Sequence, residues 1–325
     1  MSRMQGKALP KGAQAPNYAG IDVCKDWLDA KLRPSDKAMR VANDASGHKR
    51  LSRFMADNGV VLIVMEATGK YHRAAQRSLY ANGFAVAVVN PKRARSFAES
   101  IGALAKTDEV DASVLAMMGE TLRPDATPPA SKALGKMQEL VRARQAALAD
   151  RTAMQNRMGE STCDAVRESL NAVIEAINSA VAKLDAEIAK LIAGDGGLSR
   201  RMEILVSIPG VGPVTAASLI ADLPELGECD DKAIAALVGV APFAADSGDF
   251  RGQRRIRGGR SALRSTVYMA AVAAARSNPD MKRVYERLKA AGKASKVALT
   301  AVMRKLVILA NALVKTDRKW TPRTA

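Results

Sequence analysis

The run VVLIVMEA, Val60 to Ala67, constrains the fold more than any other stretch of this chain. Its apolar residues follow one another without alternating with polar ones, so the segment suits a strand covered on both faces, as in a parallel sheet flanked by helices. Around it, YAGIDV from Tyr18, WLDAKL from Trp27 and AMRVAN from Ala38 read as three short strands, and AVAVVN, Ala85 to Asn90, as a fifth. Helical spacing covers Gly47 to Asn58 and Lys70 to Ala81, and Asn90-Pro91 opens a further helix with proline in its first turn. The start of the chain is therefore an α/β unit.

After Pro124, Pro128 and Pro129 the pattern becomes helical. Leu170, Ile174, Ile177, Val181, Leu184, Ile188 and Leu191 alternate steps of four and three, the seam of a coiled coil. Leu134, Met137, Val141 and Leu148 suggest a partner helix upstream, with a turn near Gly159. A hairpin packed within the chain and a dimerisation arm fit this seam equally. Gly194 to Gly197 ends the helices, and the remainder is helical except for the Gly- and Arg-rich stretch Ala241 to Arg260. Its last helices span Ser261 to Ser277, Pro279 to Ala291 and Lys293 to Lys315. The expected organisation is a loose arm over 1–16, an α/β domain over 17–130, coiled-coil helices over 131–195 and a mostly helical domain over 196–325.

Composition narrows the class. Apolar residues at 48% and charged residues at 26% exclude wholesale disorder, and aromatics at 4% argue against a β-sandwich or barrel. The net charge is +17 and unevenly placed. From Arg251 onward there are 19 Lys or Arg against three acids, whereas the first 250 residues carry 31 basic and 30 acidic side chains. Such a surplus calls for a polyanion. Arg304 and Lys305 interrupt the longest apolar candidate, Val297 to Val314, so nucleic acid is a better expectation than a membrane. Cys24, Cys163 and Cys229 are odd in number and far apart, which fits a reducing cytoplasm rather than a disulfide framework.

Four acids stand out. Asp22 and Glu66 interrupt apolar strands, and burying such charge is expensive unless a cation neutralises it. Asp108 and Asp111, three apart at the start of a helix expected over Thr107 to Met118, share one face. Together they match the carboxylate inventory of Mg2+ or Mn2+ bound beside a phosphate, although Asp108 alone reads as a helix cap and Asp111 as a solvated first-turn acid. In Ile208-Pro209-Gly210-Val211-Gly212, Gly210 and Gly212 could let backbone approach a phosphate at a helix start, as in a helix-hairpin-helix, or could serve a plain tight turn. Arg251, Arg254, Arg255, Arg257, Arg260 and Arg264 form a glycine-spaced cluster suited to forked bonds on phosphate. Ser247 lies just upstream. Alone it is a turn serine, but a serine attacking phosphorus needs positive charge more than a histidine, and with only His48 and His72 a Ser-His-Asp hydrolase is poorly supported.

GIDV, VMEATG and KTDEVDA, followed by IPGVGPVTA and APFAADSGDFRGQRRIRGG, resemble the DEDD transposases of the insertion-sequence one-ten family, relatives of the Piv invertases. The resemblance runs from Asn17 to about Lys315. It implies a RuvC-like, ribonuclease H-type domain with the tetrad Asp22, Glu66, Asp108 and Asp111, and a C-terminal transposase domain with Ser247 as nucleophile. It further implies recombinases guided by a noncoding bridge RNA, acting on donor and target DNA as dimers or tetramers in the bacterial cytoplasm, at the nucleoid. The function expected is RNA-guided strand exchange through a covalent phosphoserine. A metal-dependent junction nuclease and a non-catalytic nucleic-acid scaffold are the competing readings.

Overall fold

Strand alternation assigns the sides of the first sheet. The computed structural model describes residues 16–67, 69–103, 108–244, 246, 248 and 251–322. The expected N-terminal arm up to residue 15, Ser247 and the side chain of Asp108 lie outside the described residues. These fall into two compact units that part between Pro129 and Ala130.

The first unit is built on a five-stranded sheet of β1 (Asn17–Val23), β2 (Trp27–Arg33), β3 (Ala38–Ala42), β4 (Val60–Glu66) and β5 (Val86–Val89). Its spatial order is β3-β2-β1-β4-β5, with β1, β4 and β5 parallel and β2 antiparallel to both neighbours. Ala19, Ile21 and Val23 of β1 and Ile63 and Met65 of β4 face one core, shared with Leu51 and Met55 of α1 (Ala45–Asp57) and Ala75 and Leu79 of α2 (His72–Ala81). Tyr18, Leu62, Val64 and Ala87 face the opposite core, against Ala94 of α3 (Pro91–Ser100) and Leu115 and Met118 of α4 (Asp108–Leu122). The apolar run is thus two interleaved faces, each covered by helices. Asp44 caps α1 through the Gly47 amide, and Asn90 caps α3 through Lys92. Helix α4 runs four residues past the expected Met118.

In the second unit, α5 (Lys132–Glu160) and α6 (Asp164–Ala193) form an antiparallel hairpin. Arg144 pairs with Asp185, Lys136 with Glu187, and Arg151 donates to Asn178. The heptad seam is therefore used within the chain, with Ile174, Val181 and Ile188 buried. Met137, Val141 and Ile188 join one core with α7 (Gly196–Val206), α8 (Pro213–Asp222), α9 (Asp231–Val238), α10 (Ser261–Ser277), α11 (Pro279–Ala290) and α12 (Ser295–Lys315). The GDGG stretch starts a helix as well as ending one, because the Asp195 carboxylate accepts from the Leu198 amide. By length and composition α12 could span a bilayer even with Arg304 and Lys305 inside it; here Val302, Met303, Leu306, Val307, Ala310 and Leu313 belong to the core. A two-residue ribbon of β6 (Pro242–Phe243) and β7 (Arg255–Ile256) interrupts the stretch expected to be irregular.

Candidate catalytic centre and nucleic-acid interface

In the first unit, side-chain alternation puts Asp22 on the same face as Tyr18 and Gly20, and Glu66 on the same face as Leu62 and Val64. This is the face that α4 covers. Ile21 lies beside Met65 in the parallel register, so Asp22 and Glu66 follow at the C-terminal ends of neighbouring strands. Helix α4 approaches closely there because residue 20 is glycine: a Cβ at Gly20 would overlap the Ala112 carbonyl and the Ala116 amide. Asp111, half-buried, immediately precedes Ala112. Asp22, Glu66 and Asp111 therefore share the side of the sheet that α4 covers, Asp22 and Glu66 at the C-terminal ends of two central strands, and Asp108 lies one turn earlier on α4. Cys24, two residues beyond Asp22, places its Sγ 3.9 Å from the Asp22 carboxylate. Among the described residues no three His, Cys, Asp or Glu side chains are gathered closely enough to hold a metal ion. The donor chemistry itself, all carboxylate oxygen, is that of a magnesium or manganese site rather than a zinc site.

In the second unit, the turn from α7 to α8 separates its two glycines. Gly210 has a φ of 97°, and a Cβ there would sit 2.5 Å from the Cα and amide nitrogen of Ala274 on α10. Glycine there lets the turn approach α10 closely. Gly212 caps α8 with nothing within 4 Å of its missing side chain, so backbone at the helix start is open to a ligand.

The six arginines do not act alike. Arg260 reaches back to Glu225, with Nη1 and Nη2 donating to the two carboxylate oxygens at 2.7 and 2.6 Å. Burial pushes the Glu225 carboxyl up, but the Arg260 hydrogen bonds and charge outweigh it and leave the group below its ordinary value. The Arg260 amide also donates to the Leu237 carbonyl, and Arg264 Nη1 to the Gly258 carbonyl at 2.6 Å. Gly239 and Gly259, with φ of 80° and 69°, bring the ends of the loop so close that a Cβ on either would strike the other strand. The loop is thereby pinched shut at its base. Farther out, Asp246 accepts from the Gly252 amide and from Arg254 Nη1. Arg257 lies over the Phe243 ring at 5.1 Å from its centroid. Arg251, Arg255 and Arg257 have no ion-pair partner among the described residues. Sequence reasoning missed Glu225 and Phe243; the exposed aromatic beside arginines was the available signal for the second.

A family model described as a transposase matches residues 19–161, and a second, described as the transposase IS116/IS110/IS902 family, matches residues 202–286. The pilin gene-inverting protein of Moraxella bovis is 26% identical over 316 residues, covering 94% of this chain and 98% of that protein. Its counterpart from Moraxella lacunata is similar to the same extent, 26% over 316 residues. An insertion element IS110 protein of Streptomyces coelicolor is 30% identical over 114 residues, 34% of this chain and 28% of that protein.

Proposed function

From the premise that this chain belongs to the IS116/IS110/IS902 family of transposases, we propose that it exchanges DNA strands through a covalent phosphoserine, guided by a bridge RNA. The chain is a DNA transposase or recombinase, and DNA is its substrate. What supports this reading is the placement of Asp22 and Glu66 at the ends of adjacent parallel strands, on the side of the sheet that α4 and its Asp111 cover. The sheet order, with three antiparallel strands extended by two parallel ones, supports a RuvC-like domain.

In this reading the Ser247 hydroxyl attacks a backbone phosphorus, forming a serine–phosphate bond as the bond to one strand oxygen breaks; the serine proton goes to solvent or a nearby base and the released strand end takes up a proton. The hydroxyl of a partner strand then attacks the phosphoserine and restores the serine. Each bond broken is replaced by one of similar energy, so no nucleotide cofactor is consumed. Arg251, Arg255 and Arg257 hold phosphate, while Arg254 is steadied by Asp246. Asp22, Glu66, Asp108 and Asp111 would hold magnesium or manganese, which when bound supplies Lewis-acid stabilisation of phosphate charge. Gly212 at the start of α8 supports a helix-hairpin-helix contact with the DNA backbone. The bridge RNA, a dimeric or tetrameric assembly and a place at the bacterial nucleoid in the cytoplasm follow from the family resemblance, since the buried seam residues Ile174, Val181 and Ile188 pack within the chain.

The test traps the protein on labelled DNA nicked near the exchange point, with its cognate RNA, then denatures and maps the labelled peptide. A label on the peptide containing Ser247, lost in Ser247→Ala, is expected. Asp22→Asn and Glu66→Gln should remain folded yet abolish exchange and weaken magnesium binding measured by calorimetry. Cleaved ends without an adduct would replace the recombinase with a junction nuclease; intact DNA would leave a scaffold.

A further inference from the structure

The β6–β7 ribbon carries an aromatic ring where its strands alone do not require one. Pro242 pairs with Ile256 and Phe243 with Arg255, and no third strand joins this ribbon among the described residues. Phe243 and Ile256 keep 36% and 38% of their surface exposed. Isolated exposed apolar residues are ordinary, but this ring has a guanidinium over it. The Arg257 guanidinium lies 5.1 Å from its centroid, Arg255 stands opposite in the register, and Arg254 is tethered to Asp246 nearby in sequence. The pinched base at Gly239 and Gly259 anchors both ends of the segment. An exposed aromatic ring bordered by guanidinium groups thus stands at the start of the most basic stretch of the chain.

We infer that Phe243, stacked beneath Arg257, is a docking platform for an unstacked nucleobase of the DNA substrate. Charge complementarity selects a polyanion, and the flat ring selects a polyanion that presents aromatic faces. An intact duplex hides those faces in its own stack, and a ribbon two residues wide offers one ring rather than an extended groove. The ligand is therefore a single base at a nick, gap or unpaired strand, and the arginines beside the ring contact its flanking phosphates. This assignment rests on the strand-exchange reading, because exchange is what presents an unstacked base beside a phosphate. The stacking removes one base from the helix and fixes the direction in which its phosphate enters the arginine loop.

The test uses the full chain and equilibrium binding by anisotropy, with DNA in which 2-aminopurine stands at the unpaired position of a gapped duplex; the intact duplex of the same sequence and the same strand alone serve as comparisons. Phe243→Leu keeps an apolar side chain of similar size and removes the aromatic face. Its affinity for gapped and single-stranded DNA should fall about 5- to 150-fold, the range for loss of one base–aromatic stack, while intact-duplex affinity and salt dependence stay unchanged. Quenching of 2-aminopurine should disappear with it, and Phe243→Tyr should restore both. Wild-type affinity of Phe243→Leu for gapped DNA overturns the assignment. Equal weakening on intact duplex also overturns it, because that pattern marks a disturbed loop; an unpaired RNA strand of the same sequence is titrated alongside, and a loss confined to it overturns DNA as the ligand. No strand is cut in this assay, so its outcome is separate from whether Ser247 forms an adduct.

Discussion

At the scale of single residues, Arg260 shows how a charge suited to phosphate can already have a partner within the chain. Its fork matches a phosphate but is filled by Glu225, 35 residues earlier in the chain. That makes it a positioning residue for the arginine loop. Arg260→Lys retains the charge and loses the bidentate geometry, so it should lower the melting temperature and reduce strand exchange while leaving the salt slope of DNA binding intact. Glu225 adds a pH test. Its folded pKa lies below the ordinary value of 4.5, so the pair stabilises the fold fully above that value. As pH falls through 4.5 toward the lower folded value, unfolded chains gain a proton that folded chains refuse, and this stability is lost. Thermal melts from neutral pH down to pH 3 should show an acid-dependent component in the wild type that is missing in Glu225→Gln; identical pH profiles would remove the pair from this role.

At the scale of elements, short-range patterns were legible and choices of partner were not. The apolar run and the alternation of β1 disclosed the strands and the odd placement of Asp22 and Glu66, because side-chain period is a local property. Nothing local says that Gly20 admits α4 or that Gly210 admits α10, since each depends on a segment at least 64 residues away or, for α4, more than 90. The seam of α6 likewise announced a helical partner without saying which chain supplies it. Two contrasts follow. Gly210→Ala combines a left-handed φ with overlap against α10 and should cost about 2–5 kcal/mol in chemical denaturation. Gly212→Ala has ordinary φ and open space, so it should cost within about 1 kcal/mol and instead weaken duplex DNA binding. Replacing Ile177 and Leu184 by Asp should lower the melting temperature by placing partly desolvated charge in a half-buried apolar seam. Its mass by light scattering should remain that of the wild type, and a shift to monomer would show that the seam also serves another copy.

At the scale of the whole molecule, the decisive quantity is where charge accumulates and how much of it is already spent. The sequence located the surplus, 19 basic against three acidic residues from Arg251 onward, but not its internal uses. Among those basic residues, Arg254, Arg260, Lys282, Arg283 and Lys319 pair with Asp246, Glu225, Glu286, Asp280 and Glu203. Arg251, Arg255 and Arg257 have no such partner among the described residues, which makes them the available phosphate ligands of the loop. Each phosphate neutralised on duplex DNA contributes about −0.9 to the slope of log K against log salt, through released counterions. Replacing Arg251, Arg255 and Arg257 together by Gln should therefore flatten the slope by up to about 2.7, with affinity falling at low salt and converging toward wild type at high salt. Arg260→Gln should leave the slope unchanged, because a guanidinium already held by a carboxylate neutralises no phosphate and so displaces no counterion from the DNA. Titrations of both variants across a salt series separate the alternatives. Equal flattening by the two would mean that the Glu225 pair opens on binding, and an unchanged slope in the triple variant would move the phosphate contacts away from this loop to the remaining basic residues of α10, α11 and α12.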